Sequence, residues 1–121
     1  MGLHVLIVDD DLINRKLLQA ILKRNSKVET ITEAVNGEDA MAKVEANSQI
    51  DLILLDIFMP ILDGIDFLRI IRNNRNFSHV PIVILSTDDT RKAEALDLGA
   101  NSFLRKPIRE EEITETINAW S

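Results

Sequence analysis

Apolar and polar positions alternate between two rhythms along the chain. "LHVLIV" (Leu3–Val8) predicts a buried strand, and helical spacing follows at Ile13, Leu17 and Ile21, with Leu18 and Leu22 beside them. "VETITEA" (Val28–Ala34) alternates as a strand with one less buried face does. Asn36-Gly37 reads as a turn, and Ala40, Met41 and Val44 predict a short helix. "DLILLD" (Asp51–Asp56) is a continuous apolar run, as in a strand covered on both faces. Asp63-Gly64 reads as another turn, and Ile65, Leu68 and Ile71 carry the next helix. "PIVILS" (Pro81–Ser86) is a second doubly covered strand. Ala93, Leu96 and Leu98 give a weak short helix ending at Gly99. "SFL" (Ser102–Leu104) is a brief strand, and the last helix carries Ile113, Ile117 and Trp120 at i, i+4 and i+7. Five strand–helix units in succession predict an α/β fold: a parallel sheet with helices on both faces and right-handed crossovers.

Composition narrows the function. The chain has 121 residues, 45% of them hydrophobic, which is one ordinary domain with a real core, expected to span 1–121 without an output domain. Its net charge of −6 argues against direct binding to nucleic acid or an anionic membrane. Cysteine is absent, so disulfides and thiolate metal sites are excluded. No apolar run approaches the ~20 residues of a membrane span, and Val5–Val8 is too short for a signal peptide. The expectation is a soluble cytoplasmic protein.

In a doubly wound sheet, ligands bind at the carboxyl ends of the strands. Here those ends carry Asp9-Asp10-Asp11, Asp56, Ser86-Thr87 and Lys106-Pro107. Crowded carboxylates repel, by roughly 4 kcal/mol per pair at ~4 Å and an effective dielectric near 20. A hard divalent cation among them resolves that cost, and Mg²⁺ takes one or two carboxylates plus waters and phosphate oxygens. A carboxylate beside Mg²⁺ can also accept a phosphoryl group, a reaction that depends mainly on positioning and charge neutralisation. Plainer readings exist for each residue alone. Asp10 or Asp11 suits a helix N-cap, the preferred reading for Asp11. Ser86 or Thr87 suits a cap as well, and Lys106 a solvated surface position. His4 and His79 are isolated and take no role. Convergence at one sheet edge favours the chemical reading.

With these residues in view, the chain resembles the receiver domain of two-component response regulators. The resemblance rests on "LIVDDD" (Leu6–Asp11), Arg15, "EAVNGEDAM" (Glu33–Met41), "DLILLDIFMPILDGIDFL" (Asp51–Leu68), "PIVILST" (Pro81–Thr87) and "LGANSFLRKPI" (Leu98–Ile108). It implies a flavodoxin-like (βα)5 fold with strand order 2-1-3-4-5. It also implies roles: Asp56 as phosphoacceptor, Asp10 and Asp56 as Mg²⁺ ligands with the Phe58 backbone carbonyl, and Asp9 acting through water. Lys106 would pair with a phosphoryl oxygen, and Pro107 is often cis in the family. Ser86 and Phe103 would be the switch pair, read on the surface of the fourth helix, fifth strand and fifth helix. The phosphodonor would be a histidine kinase or a histidine phosphotransfer protein, the output a downstream protein target. The chain would be a monomer or a phosphorylation-dependent dimer, and would catalyse only its own phosphorylation and dephosphorylation.

Four residues depart from the family pattern. Thr87 stands where a small residue is usual, Phe58 where polar residues are frequent, and Asp88 is acidic at the mouth of the site. Phe103 replaces the frequent Tyr. Two rival readings follow. A phosphatase of the haloacid dehalogenase type needs a second Asp two residues after the nucleophile, and Phe58 occupies that position. A receiver-like binding module that is never phosphorylated is weakened by the full charged set.

Overall fold

The computed structural model describes residues 2–121. Its elements are β1 (Leu3–Val8), α1 (Leu12–Lys23), β2 (Val28–Ala34), α2 (Gly37–Ala46), β3 (Leu52–Asp56), α3 (Gly64–Arg72), β4 (Ile82–Ser86), α4 (Lys92–Asp97), β5 (Ser102–Arg105) and α5 (Glu110–Trp120). The strands form one parallel sheet in the order β2-β1-β3-β4-β5, as the resemblance implied. β1 and β2 keep their predicted bounds. β3 and β4 each begin one residue later, at Leu52 and Ile82. Pro81 has no N–H to give a ladder, though its carbonyl accepts from Ile53.

The period of two divides the strand residues between two cores. Leu6, Val8, Ile53, Leu55, Ile82 and Ile84 pack toward α2, α3 and α4. Val5, Ile7, Leu52, Leu54, Val83 and Leu85 pack toward α1 and α5. Both faces of the central strands are therefore dry, which is why their sequences are unbroken apolar runs.

The helix starts explain the turn-type residues. Asp11, Asn36 and Asp63 each N-cap a helix through the side chain, accepting from the N–H of Ile13, Asp39 and Asp66. The last two thus do more than turn the chain. Helix α4 ends in a Schellman motif: Ala100 N–H bonds to Ala95 and Gly99 N–H to Leu96, with Gly99 at φ 107°.

Three apolar expectations fail. In α1 the buried face is Leu18, Ile21 and Leu22, while Ile13 is 75% exposed and Leu17 is also exposed. Each step of four advances about 40° around a helix, so Ile13 sits about 80° from Ile21 and off the core. In α4 the buried residue is Ala95, not Ala93 or Leu96, and Leu98 is half-buried. Six residues are too few to set a stripe. In α5 Ile113 and Ile117 are buried, but Trp120 lies at the helix end, beside a groove with Leu104, and is exposed.

Candidate functional site

Among the described residues, the buried polar or charged side chains are Asp9, Asp56 and Ser86. All three sit at the carboxyl edge of the sheet, where β1, β3 and β4 end. Burying a charge is costly unless it is paired, so their gathering at one edge marks the site.

Asp9 is held from several sides. Its backbone N–H donates to Ala34 O at 3.1 Å. Its Oδ1 accepts from the Asp11 N–H at 2.9 Å, and its Oδ2 from Lys106 Nζ at 3.1 Å. Lys106 Nζ also lies 3.5 Å from Asp56 Oδ1, so one ammonium serves two carboxylates. Lys106 is delivered by β5, where its N–H donates to Ser86 O at 2.7 Å, and its peptide to Pro107 is cis.

Asp56 ends β3 and is 7% exposed. Burial pushes its carboxyl up from 3.8 to about 6. The Lys106 ammonium opposes that rise, and the Asp9 and Asp10 charges add to it. The floor beneath it is tight. A Cβ on Gly64 would lie 2.2 Å from Asp56 O and 2.8 Å from Ile57 Cα, so only glycine fits there. Sequence reading took Gly64 for a turn residue. Its signal was a glycine opening the helix that follows the strand-end aspartate.

Asp10 is exposed and completes the acidic group. Asp9, Asp10 and Asp56 each offer a carboxylate oxygen, all within 4.8 Å of one another. Three hard oxygen donors against one ammonium leave net negative charge at one point, which suits a divalent cation of the Mg²⁺ type.

The remaining candidates surround this centre. Ser86 is fully buried; its Oγ donates to Asp88 O at 3.0 Å and accepts from Asp88 N–H at 3.2 Å, so it faces its own loop. Thr87 is exposed and Asp88 half-buried, and the Asp88 carboxylate accepts from the Thr90 N–H at 2.8 Å. Phe58, 50% exposed, follows Asp56 on the loop to α3. That loop holds Ile61 at φ 70°, a strained position for a β-branched residue. Phe103 on β5 is half-buried, with Lys92 Nζ 5.9 Å from its ring centroid. Sequence reasoning missed the polar brace behind Asp9. There Arg15 Nη1 donates to Asp9 O at 2.8 Å and its Nε to Glu33 Oε1 at 3.1 Å.

The model of the response regulator receiver domain matches residues 5–118. Protein PilG of Pseudomonas aeruginosa is 36% identical over 120 residues, covering 98% of this chain and 87% of PilG. A protein-glutamate methylesterase/protein-glutamine glutaminase of Nocardioides is 41% identical over 110 residues, covering 88% of this chain but only 29% of that protein. Among solved structures, the receiver domain of a sensor histidine kinase from Pseudomonas aeruginosa superposes with a TM-score of 0.88 at 29% identity, covering 99% of this chain and 98% of that one. That structure has a magnesium ion coordinated in its active-site cleft. No described helix is long and apolar enough to cross a membrane. The buried carboxylates, the shared lysine and the parallel sheet that gathers them have one common explanation: this chain belongs to the receiver domain family of two-component response regulators.

Proposed function

We propose that Asp56 is the phosphoacceptor of this receiver and that a phosphohistidine of a histidine kinase or histidine phosphotransfer protein is the donor. The observation that carries this reading is Asp56 itself, buried, raised to about 6 and touching Lys106 in a cluster of three carboxylates. At neutral pH most of it is ionised, yet it is poorly solvated and so a better nucleophile than a surface aspartate. A carboxylate oxygen attacks phosphorus, the O–P bond forms as the N–P bond breaks, and the imidazole leaves with the electron pair. Asp10, Asp56 and the Phe58 carbonyl would hold Mg²⁺, with Asp9 acting through water; the bound ion supplies neutralisation of phosphoryl charge. Lys106, already 3.5 Å from Asp56 Oδ1, moves onto a phosphoryl oxygen.

A phosphoryl group adds charge and strong acceptors. Ser86 leaves the Asp88 carbonyl to donate to it, and the space vacated admits the Phe103 ring. The change is then read by a downstream protein on α4, β5 and α5. The chain turns over no external substrate and works in the cytoplasm. Phe58 and Thr87, both exposed beside the acidic centre, shield the acyl phosphate from water, and Asp88 stands beside them. Phe58→Asn then dephosphorylates several-fold faster, measured as loss of the phosphorylated species over time; an unchanged or slower rate removes the shielding role.

The test is intact mass after incubation with acetyl phosphate, with and without Mg²⁺, on wild type and Asp56→Asn. The reading predicts one added phosphoryl group that needs both Mg²⁺ and Asp56. A folded wild type that stays unmodified by acetyl phosphate and by phosphohistidine donors contradicts it and leaves an unphosphorylated binding module.

A further inference from the structure

Arg15 is a helix residue with no place in the chemistry above, yet it is nearly buried, its side chain 12% exposed. Its guanidinium uses two donors of its planar fork at once. Nη1 holds the Asp9 backbone carbonyl at 2.8 Å and Nε holds Glu33 Oε1 at 3.1 Å. Glu33 is fixed in turn: Gln19 Nε2 donates to its other carboxylate oxygen, and Lys43 Nζ donates to its backbone carbonyl at 3.0 Å. The brace therefore ties α1, β2 and α2 to one atom at the end of β1.

That atom matters because the peptide is planar. The Asp9 carbonyl lies in the same plane as the nitrogen and Cα of Asp10. Pinning the oxygen fixes the plane, and with it the origin of the Asp10 side chain. Asp9 has a web of its own bonds to hold it. Among the described residues Asp10 has no such hydrogen bond to its carboxylate, so its aim depends on its backbone.

Resting on the receiver reading above, we propose that Arg15 is the positioning residue of the cation site: by holding the Asp9 carbonyl it aims the Asp10 carboxylate toward Asp56. Two other roles are distinguishable. A purely stabilising ion pair with Glu33 predicts a lower melting temperature and unchanged affinity for Mg²⁺. A through-space charge effect predicts tighter Mg²⁺ binding once the positive charge is removed. Positioning predicts that the fork, not the charge, matters, since lysine offers one compact ammonium in place of two parallel donors.

The experiment is calorimetric titration of the full chain with MgCl₂ for wild type, Arg15→Lys and Arg15→Gln. It is paired with acetyl phosphate kinetics over a range of Mg²⁺ concentrations. Both variants are expected to bind Mg²⁺ about tenfold more weakly, the usual effect of losing a partner that orients a ligand. Their half-saturating Mg²⁺ rises to match, while the rate at saturating Mg²⁺ stays near wild type. Arg15→Lys within twofold of wild-type affinity, or tighter binding by Arg15→Gln, overturns the proposal. If a variant does not fold, wild type carries the test: the Arg15 Nε–H resonance must shift during a Mg²⁺ titration followed by NMR, and a resonance that stays put overturns the assignment. Wild type that binds no Mg²⁺ overturns the receiver reading together with this one, whereas normal wild-type binding with unaltered variants overturns only the role of Arg15.

Discussion

Helices α3 and α4 pack on the same face of the sheet but are held very differently. α3 buries Gly64, Ile65, Phe67, Leu68 and Ile71, and Asp63 caps its first turn. α4 buries only Ala95, and its first turn has no side-chain cap. The C-terminal end of α3 is bolted down as well. Arg72 donates to Gly99 O, Val80 O and Asn101 Oδ1 at 2.8–2.9 Å, and burial lowers its pKa. The N-terminal end of α4 is tied through Arg91, which pairs with Glu94 at 2.9 Å and Asp63 at 3.7 Å, pairs that salt screens and that contribute little. The difference separates two tasks. Phosphoryl chemistry on Asp56 would need groups held in place, and the helix following it is the firmly anchored one. Signalling would need an element with two positions of similar energy, and the helix following Ser86 is the sparsely anchored one.

Truncating the two helices gives the largest contrast. Phe67→Ala removes a fully buried ring and costs about 3–5 kcal/mol, whereas Leu96→Ala costs less than about 1 kcal/mol. Urea melts of both variants measure it, and similar losses would erase the comparison.

Asp56 is the electrostatically costly residue of the firmly anchored half. Its native pKa of about 6 lies above the ordinary 3.8. Between those values the native state binds more protons than the unfolded state, so this group's contribution to stability falls as pH rises from about 4 to about 6. Asp56→Asn therefore stabilises the metal-free protein at pH 7 by at most about 3 kcal/mol, less what water at the mouth screens. The gain shrinks toward pH 4. Melts of wild type and variant in EDTA at several pH values check both the sign and the window.

Gly64→Ala sharpens the account of the floor. The new methyl meets Asp56 O and Ile57 Cα, both backbone atoms that cannot rotate away. The expected cost is about 1–3 kcal/mol, with slower phosphorylation because Asp56 is displaced. A stability loss with an unchanged phosphorylation rate at saturating Mg²⁺ would show that the floor does not position Asp56.

The sequence made the strands legible because both faces of β3 and β4 are dry and the burial is written as continuous apolar runs. The convergence of Asp9, Asp10, Asp56, Ser86 and Lys106 followed from topology once the strand ends were placed. The structure brings an oxygen of each of the three carboxylates within 4.8 Å of the others and places the lysine 3.1 Å from Asp9 and 3.5 Å from Asp56. What the sequence concealed had other causes. Ile13 and Leu17 are apolar but lie off the α1 core face, and apolar residues at a surface are common. Ala95 is identical in type to Ala93 and smaller than Leu96, so residue type could not single out the α4 position that is buried. The Arg15–Glu33 brace joins residues 18 apart, a distance no helical or strand period reports. Ser86 bonding to its own loop is a matter of side-chain direction, which the residue type leaves open.

The central claim is that phosphorylation moves α4 and β5 over a site whose frame stays fixed. Hydrogen–deuterium exchange read by mass spectrometry, on the protein before and after reaction with acetyl phosphate and Mg²⁺, tests it directly. The account predicts fast exchange in Lys92–Asp97 before the reaction, a clear change there and in Ser102–Arg105 after it, and slow, unaltered exchange in Ile65–Arg72. Unaltered exchange in α4 and β5 of phosphorylated protein, or an equal change in α3, would contradict it.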